Sequence, residues 1–110
     1  MESKAIAEDL ARELEDLTGD AIDNYVSECL EIVIIYRHSL GGSKTNPDPS
    51  GVELLVSYGG PSTRVISRIG SDYLTIKVNW WEDTYETTSH APEVAAYLNE
   101  LAECYEVENV

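Results

Sequence analysis

Any reactive or metal-binding site in these 110 residues would have to draw on two histidines, two cysteines and a large surplus of carboxylates. His38 follows a β-branched run and His90 precedes the final predicted helix, and neither stands at ligand-like spacing from Cys29 or Cys104; no metal site is expected. Asp16, Asp20 and Asp23 lack the alternating oxygen ligands, central glycine and terminal glutamate of a calcium loop. Gly59-Gly60-Pro61-Ser62-Thr63-Arg64 has the glycines of a phosphate cradle but no following helix and no Gly-Lys-Ser/Thr ending, so it reads as a hairpin turn. With 21 acidic residues, the proximity of any two carboxylates says nothing about acid–base chemistry. The expectation is a protein that is not an enzyme and takes no cofactor. An enzyme would need a pocket around His38 or His90 that no spacing predicts.

What is unusual is the charge. The chain carries 21 acidic and 7 basic residues, a net charge of −14. Residues 1–31 hold ten acids and two bases, 32–81 three acids and five bases, and 82–110 eight acids and no base, giving −8, +2 and −8. Such an excess repels other polyanions, so direct binding to nucleic acid or an anionic membrane is excluded and a basic protein partner fits. A solvated surface kept for solubility and a halophilic host are the competing explanations. Glutamate outnumbers aspartate fourteen to seven, which leans away from halophily. The candidate partner-binding residues are Glu8, Asp9, Glu13, Glu15 and Asp16 near the N-terminus, and Trp81, Glu82, Asp83, Tyr85 and Glu86 after the sheet, with Glu93, Glu100 and Glu103 extending the second set. Trp81 and Tyr85 are candidate aromatic anchors. Strand alternation sends Trp80 and Trp81 to opposite faces, so at most one joins the core under the helices. The other either covers the second sheet face with Ile66, Tyr73 and the stems of Arg64 and Lys77, or anchors an interface.

These residues need elements to position them. Ile6, Leu10, Leu14 and Leu17 form one stripe of a helix over 2–17, with Ser3 able to cap. Thr18-Gly19-Asp20 ends it and offers Asp20 as N-cap of a second helix carrying Ile22, Tyr25, Val26, Cys29 and Leu30. Ile32-Val33-Ile34-Ile35 starts a strand over 31–39, because β-branched side chains lose freedom in a helix. Residues 40–51 are rich in Gly, Pro, Ser and Asn and read as a long loop. Alternation then predicts strands at 52–58, 63–69 and 73–81, with 82–88 either extending the last strand or crossing over. Ser89 and Pro92 introduce a helix with Val94, Leu98, Leu101 and Tyr105. Cys29 and Cys104, each in a predicted helix among apolar neighbours, read as small buried hydrophobes rather than a disulfide or a reactive thiol. The fold expected over 1–110 is a single α+β domain. It is a four-stranded antiparallel meander with two N-terminal helices and one C-terminal helix packed on one face. Hydrophobic residues at 43% suit a globular core. The longest apolar stretch, Ile32 to Tyr36, is far too short to span a membrane, and the opening Met1-Glu2-Ser3-Lys4-Ala5 lacks a signal peptide's apolar segment. A soluble protein of the cytoplasm is expected.

The phrase Gly51-Val52-Glu53-Leu54-Leu55-Val56-Ser57-Tyr58-Gly59-Gly60-Pro61, with a helix and strand before it and the Trp80-Trp81-Glu82 strand after it, resembles short proteins carried by bacterial prophages and other mobile elements. In size, charge and lack of catalytic residues the chain is also similar to anti-CRISPR and anti-restriction inhibitors, some of which imitate DNA with carboxylates. Neither resemblance carries a functional residue across. Together they imply a stoichiometric inhibitor in a bacterial host cell. It would bind a basic, nucleic-acid-binding defence protein, such as a CRISPR effector or nuclease, through a DNA-mimicking surface. The alternatives are an immunity protein or antitoxin that neutralises a basic toxin, and a homodimeric structural module joined through Ile66, Tyr73 and an outward tryptophan.

Overall fold

A computed structural model describes residues 2–37 and 48–104 of the chain. Three helices cover one face of a five-stranded antiparallel sheet. The elements run α1 (Glu2–Asp16), α2 (Asp20–Ser27), β1 (Glu31–Arg37), β2 (Asp48–Ser57), β3 (Ser62–Arg68), β4 (Tyr73–Trp80), β5 (Asp83–His90) and α3 (Pro92–Cys104). Strand order follows chain order, β1-β2-β3-β4-β5.

The predicted α+β meander is present, but with a fifth strand. After Trp80 the chain turns back through Trp81 and Glu82, so that Trp80 pairs with Asp83 and Tyr73 with His90. Trp81 takes a positive φ of 56°. Two-residue hairpin loops need that conformation, and Gly, Asn or Asp normally supplies it. A tryptophan there gives no turn signal, so residues 82–88 read ambiguously. The same turn corrects the placement of Trp81, which sits at the sheet's end and not on its outer face, whereas half-buried Trp80 continues the core side of β4.

Other boundaries shift for identifiable reasons. Residues 48–51, read as loop, begin β2. Pro49 and Gly51 are tolerated there because a bulge skips Ser50, leaving Tyr36 opposite Pro49 and Ile35 opposite Gly51. A Cβ on Gly51 would lie 2.4 Å from the Ser67 carbonyl oxygen, so a larger residue would collide with β3. Gly19, at φ 53°, is the N-cap of α2, and Asp20 is the first helical residue, making no capping bond. Cys29 lies beyond the end of α2 and is half-buried, and Cys104 is exposed; both are free thiols. His38, residues 40–47 of the predicted loop and Tyr105 lie outside the described residues.

One apolar layer joins these elements. Ala7, Leu10, Ala11 and Leu14 of α1, Ile22 and Val26 of α2, and Val94, Ala95, Leu98 and Ala102 of α3 close over Val52, Leu54, Val65, Leu74, Ile76 and Val78. Burial of each Val, Leu or Ile side chain in it contributes about 1.5–3 kcal/mol of transfer free energy, so the layer dominates the fold. The helix α1 packs on β4 and β5, and α3 on β2 and β3.

Candidate functional site

The largest chemical asymmetry of the molecule lies between its two faces, and α1 shows how it arises. Burying positions 7, 10, 11 and 14 leaves Glu8, Asp9, Glu13, Glu15 and Asp16 exposed. Two long-range contacts fix the helix on β5. At its start, the Ser3 backbone N–H donates to Asp83 Oδ2 at 3.2 Å and the Ser3 hydroxyl to the Asp83 carbonyl at 3.0 Å. Toward its end, the buried Ser89 hydroxyl lies 2.7 Å from the Ala11 carbonyl oxygen and 3.3 Å from Glu15 Oε2, so that α1 runs parallel to β5. Ser3 is therefore a residue of the first helical turn with a buried hydroxyl and not the cap, and the capping carboxylate comes from Asp83.

The same pattern repeats on the neighbouring helices. Asp20, Asp23 and Glu28 are exposed on α2 and at its C-cap, and Glu93, Glu100 and Glu103 on α3. With Glu2 the helical layer presents twelve exposed acids against two exposed bases, Lys4 and Arg12. Arg12 is held by Asp9 at 2.6 Å, a solvated i,i+3 pair that contributes little to stability. Tyr97 Oη donates to Asp23 Oδ1 at 2.6 Å and ties α3 to α2; this bond pushes the Tyr97 phenol up from its ordinary pKa. Asp9, Glu13 and Asp16 stand at i, i+4 and i+7, where Cβ atoms are about 5–6 Å apart, so α1 carries a row of carboxylates.

The opposite face is balanced. Arg64 lies 3.7 Å from Glu53 across β2 and β3, and Lys77 lies 3.7 Å from Glu86 across β4 and β5. Ile66 is buried between Glu53 and Thr75 in register, and Tyr73 lies against His90 with ring centroids 4.8 Å apart. Polar groups thus flank Ile66 on this face.

Of the ten candidate residues, the structure brings eight to one side or end of the molecule. Glu8, Asp9, Glu13, Glu15 and Asp16 share α1, and the Trp81-Glu82-Asp83 turn abuts the start of α1 through the Asp83 cap. Trp81 is 90% exposed. Tyr85 packs against the core instead, and Glu86 faces the other side of the sheet with Lys77. Residue-level reasoning missed Glu2, Asp20, Asp23 and Glu28, although the −8 charge of the N-terminal segment included them. It also missed Tyr58, exposed in the β2–β3 turn at the same end of the sheet as Trp81.

Burial, and then Glu28, push the Cys29 thiol up, which keeps it protonated at neutral pH and a poor nucleophile. Burial also raises the Tyr25 phenol strongly, helped by Cys29 and Glu13. Among the described residues no three His, Cys, Asp or Glu side chains are grouped to hold a metal ion. No helix among them is long and apolar enough to cross a membrane. No family model matches the sequence, and no curated protein or solved structure matches it either.

Proposed function

We propose that this protein acts by binding: its acidic helical layer occupies the basic, nucleic-acid-binding surface of another protein and blocks it stoichiometrically by imitating a polyanion. The observation that carries the reading is the segregation of charge, twelve exposed acids against two bases on the helical layer and cross-strand charge balance on the open sheet face. A surface acidified only for solvation has no reason to concentrate its carboxylates on one side. Concentrated negative potential steers a lysine- and arginine-lined channel into contact, and carboxylates pair with arginine through two parallel hydrogen bonds. Trp81 adds an anchor at the end of the acidic layer. A large aromatic held exposed in a conformation that disfavours it supports a role outside the fold.

The target class is a bacterial defence protein that handles nucleic acid, a CRISPR effector or restriction nuclease, and the protein works in the host cytoplasm as part of a phage or mobile element. The test is competition. The wild-type chain and a Glu8→Lys, Glu13→Lys, Asp16→Lys variant are titrated into candidate effectors already loaded with labelled duplex DNA. Displacement of the DNA at one-to-one stoichiometry by the wild type, weakened by salt and lost in the variant, is expected. Equal displacement by both chains would sink the mimicry reading. Inhibition of a basic toxin without nucleic-acid competition would favour the antitoxin alternative, in which Trp81 supplies the main anchor.

A further inference from the structure

The first strand is an edge of the sheet built unlike an edge. Among the described residues β1 hydrogen-bonds only β2, and its second side carries no strand. Sheet edges are normally blunted by charge, proline or short length. Between Glu31 and Arg37 this one reads Ile32-Val33-Ile34-Ile35-Tyr36. Ile32 and Val33 are exposed, as is Leu30 just before them. An open groove of about 660 Å³ runs along the strand, lined by Glu31, Ile32, Val33, Ile34, Tyr36 and Leu101 of α3. The Tyr36 hydroxyl is buried without a partner among the described residues. The other edge, β5, offers a contrast: it is rich in Thr with Asp83, Glu86 and His90, and α1 packs over it.

We infer that β1 pairs antiparallel with β1 of a second copy, about a two-fold axis at Ile34, joining two five-stranded sheets into one. In an antiparallel pair, opposed residues must turn their N–H and C=O groups the same way relative to the partner, so a self-paired strand has its axis through a residue and never between two. Three axes keep most of the strand paired. An axis at Val33 sets Glu31 opposite Ile35 and Arg37 opposite Cys29. An axis at Ile35 sets Arg37 opposite Val33. Only the axis at Ile34 pairs all seven residues, with Ile32 opposite Tyr36, Val33 opposite Ile35, and Glu31 opposite Arg37 of the second copy at both ends. Charge complementarity therefore selects both the occupant and the register. Parallel alignment in register would instead set like charge beside like.

The groove follows the same symmetry. Ile32 and Ile34 pair with Leu54 and Val52, which face the helices, so they lie on the helix side with Leu101, and the two-fold axis brings the two grooves together there. That axis is perpendicular to the sheet, so both helical layers lie on one side and the dimer doubles the acidic surface. Two chains of net charge −14 repel each other, so salt strengthens this association. Docking on a basic partner weakens with salt, and the two interactions can fail independently.

Sedimentation equilibrium of the full chain, at low and high salt and over a wide concentration range, tests the inference. The wild type is expected to dimerise, more tightly at high salt. Glu31→Arg or Arg37→Glu alone sets like charges opposite each other twice and is expected to weaken the dimer about tenfold or more, and the double swap to restore it to within about threefold. Ile34→Lys is expected to give a folded monomer, checked by circular dichroism. A wild type that stays monomeric, a dimer indifferent to the single swaps and to Ile34→Lys, or a double swap that restores nothing would each overturn the inference. So would a monomer that dimerises only once residues 105–110 are deleted, which would assign the edge to the chain's own C-terminal segment.

Discussion

Ser3 and Asp83, eighty positions apart, close the N-terminus of α1: the Ser3 N–H donates to the Asp83 carboxylate at 3.2 Å and the Ser3 hydroxyl to the Asp83 carbonyl at 3.0 Å. The first helical N–H groups have no intrahelical acceptor. Here the acceptor is borrowed from the first residue of the last strand, so the cap also sets where α1 lies along the sheet. It holds the exposed Trp81-Glu82 turn beside the acidic helix.

Asp83→Ala should therefore destabilise the protein by about 1–2 kcal/mol, while Asp83→Asn keeps an oxygen acceptor and should cost less than half of that. Urea unfolding of the three chains checks this. Equal losses for Ala and Asn would mean that the charge at the helix N-terminus, and not the hydrogen bond, is what stabilises.

The contact was invisible in the sequence because it joins a helix to a strand that could not itself be read. Strands β2 to β4 were legible because Val52 and Leu54, Val65, and Leu74, Ile76 and Val78 alternate with polar residues and bury on one side. In β5 the inward-facing residues are Asp83, Tyr85, Thr87 and Ser89, and of these only Tyr85 is largely apolar, so period two carries almost no contrast in hydrophobicity. The turn before it rests on a positive-φ tryptophan. On the site, the acidity of the terminal segments was plain from counting, but sending Glu86 to the far face and Tyr85 to the core required the register of β5 against β4.

Trp81→Asn replaces a residue poorly suited to φ 56° with one that tolerates it, and a side chain so exposed contributes little packing. The variant should gain up to about 1 kcal/mol of stability, read as a rise in Tm of a few degrees. The same variant should bind its target more weakly if the tryptophan is an anchor. A loss of stability instead would mean that Trp81 packs usefully in solution.

Gly51→Ala should cost about 1–3 kcal/mol, because the added methyl meets backbone of β3 that cannot rotate away. Denaturant midpoints measure the loss. An unchanged midpoint would show that β2 and β3 separate easily at the bulge.

Alkaline pH should weaken the fold through Tyr25. Its phenol is pushed up in the folded chain, chiefly by burial, so above its ordinary value near pH 10 the unfolded chain releases a proton that the folded chain retains. The unfolded state then binds fewer protons, and stability falls as pH rises beyond that value. Tyr25→Phe removes the titration together with a buried hydroxyl that has no partner among the described residues. It should leave stability at neutral pH unchanged or slightly raised and flatten the alkaline decline. Urea midpoints of both proteins at about pH 8 and about pH 11 decide it, and parallel declines would place the alkaline sensitivity elsewhere.

The end of α1 sets stability against the proposed binding. Its last turns carry Glu13, Glu15 and Asp16 with no base in the final turn, at the helix end where the macrodipole already favours cations. Glu13 also has Asp9 four residues before it and Asp16 three after, both like-charged neighbours. Asp16→Lys should therefore stabilise the fold by about 0.3–1 kcal/mol at low ionic strength, with the gain shrinking as salt screens it. The same change breaks the carboxylate row proposed to face a basic target, so affinity for the partner should fall while Tm rises. Opposite movement of the two readouts separates a charge used for recognition from one that only accompanies folding. If Tm rises and affinity stays level, the acids of α1 serve solvation, and the binding role passes to those of α2 and α3.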